Sequence, residues 1–122
     1  MRTKVGTFQY PVEIGDAKGE RFEEMRPWVD TGALYSQFPA TTLERLGHRP
    51  NATRRFRLAD GSIIERPIAD VPMRIGDELR TTTCVFGGEG SELLLGAVSM
   101  EQFGLAPDPV NQTLVPVVAL LL

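Results

Sequence analysis

The apolar residues of this chain come in short alternating runs, each closed by glycine, proline or an Asp-Gly pair, a rhythm that leaves room for little but strands. Val5, Tyr10, Val12 and Ile14 predict a first strand or two ending at Gly15-Asp16. A hairpin turn across Gly15 to Gly19 leads to Phe22, Met25 and Trp28, and then to Val29-Asp30. Phe56-Arg57-Leu58-Ala59 runs into Asp60-Gly61, a strong hairpin dipeptide, and Ser62 to Ile68 runs back. Val71 to Ile75 ends at the Gly76-Asp77 turn, and Leu79 to Phe86 makes a further strand. Leu93-Leu94-Leu95 is continuous, as in a strand buried on both faces. Thr113 to Val118 is the last strand.

The period changes in two places. Pro39 opens a short helix over 40–46, with Leu43 and Leu46 on one face and Gly47 at its end. A second helix runs from Ala97 to Phe103 and is closed by Gly104. No linker or low-complexity stretch divides the chain, so residues 1–122 are expected to form one mainly-β, barrel-like domain with two short helices. An echo runs through it: an apolar strand ends at Gly32 and again at Gly96, and each is followed by a helix and a glycine.

Composition excludes several functions. A formal net charge of -3 argues against a nucleic-acid partner, which would want a basic face. The one basic cluster, Arg49, Arg54, Arg55 and Arg57, reads as a solvated edge. The first residues lack the apolar core of a signal peptide, and the apolar end from Val117 to Leu122 is too short to span a bilayer. A membrane association is therefore not expected. The lone Cys84 allows no internal disulfide, which suits a reducing compartment such as the cytoplasm, or simply a fold that needs no covalent staple. It reads as a small buried strand residue. With the lone His48, expected to be exposed after the first helix, it makes neither a metal site nor a nucleophile pair, and no metal or cofactor is expected.

The segment that carries chemistry is Trp28-Val29-Asp30-Thr31-Gly32-Ala33. A carboxylate at the end of an apolar strand is costly unless hydrogen-bonded. Gly32 offers an accessible backbone N–H and Thr31 a hydroxyl. Together with Leu93-Leu94-Leu95-Gly96 and the helix after it, this segment resembles the retropepsin-like aspartic peptidases, over about Val12 to Val117. The resemblance implies a single-lobe acid-protease barrel, with Asp30, Thr31 and Gly32 as catalytic loop. It makes the hairpin of Ala59, Asp60, Gly61 and Ser62 a flap over the substrate. Viral members carry a charged residue where Ala97 stands and a glycine-rich flap where this chain has only Gly61. A cellular, bacterial or archaeal branch is therefore the better comparison.

The same resemblance implies a homodimer. Aspartic peptidase chemistry needs two carboxylates sharing one proton, and this chain has a single Asp-Thr-Gly. A two-fold dimer would bring Asp30 beside its symmetry mate, with Thr31 bonding across the axis. The chain ends of such dimers interleave, a use for Thr113 to Val118 and its extension over 119–122; packing within the subunit is the alternative. Ala33, where Ser or Thr would add a hydroxyl, is expected to raise the dyad's apparent pKa. Leu34, Ile63, Ile64 and Val98 are plausible pocket residues. Glu20, Glu23 and Glu24 read as a solvated face, and Asp70, Asp77, Glu78 and Asp108 as turn residues. The expected activity is endopeptidase cleavage of an extended polypeptide. The alternative is a peptide-binding or scaffolding module of the same fold with little turnover. A glycosidase would need a second acid in another geometry, and no candidate stands out.

Overall fold

The computed structural model describes residues 8–122, so Val5 lies outside the described residues. Strands β1 (Val12–Gly15) and β2 (Phe22–Met25) form the hairpin that the glycine spacing predicts. Asp16 closes its turn by accepting the N–H groups of Glu20 and Arg21. There follow β3 (Trp28–Val29), β4 (Ser36–Pro39), helix α1 (Ala40–Arg45), β5 (Ala52–Arg57), β6 (Ile63–Ile75) and β7 (Glu78–Gly87). The chain continues through β8 (Leu94–Leu95), helix α2 (Ala97–Gln102), β9 (Leu105–Asp108) and β10 (Thr113–Pro116). Among the described residues the strands order as β2-β1-β6-β7-β4-β8-β3, with β5 on β6, and β9 and β10 pair separately. This is the mainly-β architecture with two short helices that the sequence predicts.

One side of the curled sheet carries the core. Ile14, Phe38, Leu43, Val71, Met73 and Leu95 are fully buried, and Met100 and Phe103 of the α2 region pack against them. Each such side chain contributes about 1.5–3 kcal/mol by leaving water. Six-residue helices do not persist alone. Leu43 anchors α1 in the core, and α1 ends in a Schellman motif: Gly47 N–H donates to Glu44 O and His48 N–H to Leu43 O, with Gly47 at φ +88°.

Several local expectations are corrected. His48 is buried rather than exposed, because the Schellman turn swings its ring inward, where Nε2 donates to Gly15 O over 2.7 Å. Residues 62–68 and 71–75 are not two strands but one of 13 residues. Pro67 and Pro72 sit where one edge of β6 is unpaired, and a nitrogen without a proton is tolerated there. Asp70 accordingly lies within β6, opposite Thr83, and not in a turn. Strands β4 and β9 are additional to the sequence reading. β10 pairs with β9 of its own chain, and residues 117–122 are exposed without regular structure. Cys84 is buried in β7, as expected, and burial pushes its thiol far above the ordinary range, leaving it protonated.

Candidate active site

The two halves of the sequence echo lie side by side. β3 and β8 pair in parallel, Trp28 with Leu94 and Val29 with Leu95. Trp28 N–H donates to Leu93 O over 2.8 Å, and Asp30 N–H to Leu95 O over 3.0 Å. Asp30 thus stands where β3 leaves the sheet, immediately beside the point where β8 turns at Gly96.

The loop after β3 folds back on the carboxylate. Gly32 N–H donates to Asp30 Oδ1 over 2.9 Å, and Ala33 N–H to Asp30 O over 3.1 Å. Asp30 is only 8% exposed, so this bond offsets part of the cost of keeping a carboxylate out of water. Thr31 and Gly32 are exposed on the loop surface. Next, the start of α2 clamps the same loop: Ala97 N–H donates to Ala33 O and Val98 N–H to Leu34 O, at 2.8 and 2.9 Å. Donors that a helix leaves unsatisfied at its start are spent here on holding the Asp30 loop.

A buried chain of hydroxyls supports this clamp, and the sequence reading missed it. Ser36 Oγ accepts the N–H of Gly96 over 3.0 Å and lies 2.7 Å from Ser99 Oγ. Ser99 Oγ in turn lies 2.7 Å from Thr82 Oγ1. Three strands and α2 meet at these groups. Gly96 is required by close approach, since a Cβ there would stand 2.5 Å from the Tyr35 carbonyl carbon. The sequence signal for Gly96 was strong; three isolated hydroxyl residues carry none.

Beside the loop lies a groove of about 310 Å³. Gly32, Ala33, Leu34 and Tyr35 form one wall, and Phe56, Leu58 and Ile64 of the β5–β6 hairpin form the other. Tyr35 and Phe56 bridge the walls edge to face, with centroids 6.2 Å apart. Of the expected pocket residues, Leu34 and Ile64 line this groove, while Ile63 and Val98 do not. Larger surface hollows occur between the Asp16 turn and the end of α1 at Arg45, Leu46 and Gly47, and around His48, but they contain none of the Asp30 loop.

Ala59, Asp60, Gly61 and Ser62 make the exposed tip of that hairpin. Leu58 N–H donates to Ser62 O, Gly61 N–H to Leu58 O, and Gly61 takes φ +89°. This is a three-residue loop with a left-handed glycine, one residue longer than the tight dipeptide turn the sequence suggests. Asp60 Oδ1 accepts both the N–H and the hydroxyl of Ser62, at 2.9 and 2.6 Å, and those bonds hold its carboxyl below the ordinary value. Among the described residues no three His, Cys, Asp or Glu side chains gather as a metal-ligand set, and no helix is long and apolar enough to cross a membrane.

No protein-family model matches this chain, and no curated protein matches it. Among solved structures it is similar to the simian foamy virus (mac) protease determined in solution. The TM-score is 0.53 at 15% identity, and the match covers 77% of this chain and 94% of that one. The Asp30 loop, the Leu-Leu-Gly turn and the hairpin beside them are therefore set in a retropepsin-like fold.

Proposed function

We propose that this protein is an aspartic endopeptidase acting as a homodimer, with Asp30 of each subunit at the two-fold axis. The observation that carries the reading is the Asp30 carboxylate, held by Gly32 N–H at the end of β3, with its loop forming one wall of a groove whose other wall is a hairpin. Two such carboxylates about 3 Å apart cannot both ionise. The ionised one takes a proton from water as that water attacks the peptide carbonyl. The protonated one hydrogen-bonds the carbonyl oxygen as charge develops there. Thr31, exposed on the loop after the carboxylate, would bond across the axis. The hairpin tip from Ala59 to Ser62 closes over an extended substrate.

Ala97 and the single flap glycine favour a cellular, bacterial or archaeal relative over a viral one. A single free cysteine, with no internal disulfide possible, suits a reducing, cytoplasmic setting. The test is cleavage of a peptide library across a pH series, with Asp30→Ala alongside. Cleavage that disappears in the variant and is blocked by a statine-type inhibitor supports the enzyme. Dimers that cleave nothing at any pH favour the peptide-binding module.

A further inference from the structure

Three arginines around the groove have no carboxylate to pair with. Among the described residues three other arginines do pair with acids, Arg45 with Glu23, Arg74 with Glu13 and Arg80 with Glu78. Arg54, Arg57 and Arg66 bond only to backbone carbonyls among the described residues, those of Thr53, Gly61 and Glu65. Acids outnumber bases in this chain, 16 to 13, so the want of partners reflects placement and not scarcity. Arg57 and Arg66 line the groove, and no Asp or Glu does. Arg54 stands directly opposite Arg66 in the β5–β6 register, next to the Phe56–Ile64 pair. Like charges directly opposed across two strands destabilise them. A net-negative protein has thus gathered uncompensated positive charge on the hairpin that walls its groove.

We propose that the groove selects extended peptides carrying a carboxylate side chain next to an apolar residue. Arg66 binds the carboxylate, and Leu34, Phe56, Leu58 and Ile64 receive the apolar neighbour. Arg66 is half-buried, and its Nη2 lies 3.8 Å from where a Cβ on Gly88 would stand, so no side chain at that position covers it. A carboxylate arriving there forms charge-assisted hydrogen bonds and relieves the repulsion between Arg54 and Arg66. Two half-grooves joined across a dimer axis would double the positive field that guides such a substrate in. The inference rests on reading the groove as a peptide site, and not on turnover.

The test uses peptides with an apolar centre that differ only in a flanking Glu, Gln or Lys. Binding is read by fluorescence anisotropy with Asp30→Asn, and kcat/KM with the native protein. The Glu peptide should be favoured over the Gln peptide by about tenfold, a preference that shrinks as salt is raised. Arg66→Gln should bring the Glu-to-Gln ratio within each assay close to one, and Arg66→Glu should turn it toward Lys. A ratio near one in the native protein, or a ratio that survives Arg57→Gln combined with Arg66→Gln, overturns the proposal. So does failure to bind any of the peptides, or a single-stranded oligonucleotide that outcompetes the Glu peptide. Cleavage without acid preference sinks this inference and leaves the peptidase standing. Acid-selective binding without cleavage does the reverse.

Discussion

Ser36 Oγ and Ser99 Oγ lie 2.7 Å apart in the buried interior, joining β4 to α2 across 63 residues of sequence. Ser99 also meets Thr82, and Ser36 also receives the N–H of Gly96, so removing one hydroxyl leaves its neighbours short of a partner. Ser99→Ala is expected to cost about 1–3 kcal/mol, most of it from the hydroxyls left behind. Urea denaturation measures this as a lower midpoint at unchanged slope. A midpoint equal to that of the native protein would mean the hydroxyl chain contributes nothing.

Gly96 offers a sharper steric test. A methyl group there would meet the Tyr35 carbonyl carbon at 2.5 Å and its oxygen at 2.6 Å, both backbone atoms that cannot swing aside. Gly96→Ala should therefore force β8 away from the Asp30 loop. The expected cost is about 3 kcal/mol or outright failure to fold. At Gly88 the nearest atom to a new Cβ is Arg66 Nη2 at 3.8 Å, an ordinary contact. Gly88→Ala should leave the unfolding free energy within about 0.5 kcal/mol of native. Equal behaviour of the two variants would contradict the close approach at Gly96.

Much of this geometry can be read from the sequence because local patterns set it. The hairpin at Gly15 to Gly19, the helix over 40–46 and the two apolar strands ending in glycine all follow from residue spacing. The parallel pairing of Val29 with Leu95 gives the echo a physical meaning, since both strands must reach the same place for the loop and the turn to meet. What stays hidden depends on long-range contact. Ser36, Thr82 and Ser99 are ordinary polar residues until the fold brings them together. His48 looks solvent-facing until a helix cap points it at Gly15. Arg66 reads as one charge on a polar strand, and only the β5–β6 register sets it against Arg54.

The tip of the β5–β6 hairpin should respond to acid in a defined direction. The hydroxyl and N–H of Ser62 hold the Asp60 carboxyl below its ordinary value. A carboxyl lowered in the folded state stabilises the turn fully above the unfolded value, and the contribution fades as pH falls through the folded one. The tip should therefore keep its shape through mildly acidic conditions and loosen only below the ordinary carboxylate range. Titration of the Asp60 carboxyl carbon by NMR should show a midpoint below that of an unstructured aspartate. Ser62→Ala should raise that midpoint, and no change would show the side chains apart in solution.

Position 33 bears on how the proposed dyad titrates. Asp30 Oδ1 receives the Gly32 N–H, and Ala33 brings no hydroxyl to the carboxylates. Hydrogen bonds to the ionised form lower a carboxyl pKa, so withholding one keeps the pair easier to protonate. The two aspartates share a proton and titrate as a unit, so the effect belongs to both together. The native pH–rate profile is expected to peak above about 4, near or beyond the value of an unperturbed aspartate. Ala33→Thr should add a donor and move the acid limb down by about one pH unit, equivalent to about 1.4 kcal/mol in favour of the ionised pair. A purely structural effect would lower the whole profile without moving its limb. A native optimum below about 4 would mean that other donors already stabilise the charge and that Ala33 does not set it.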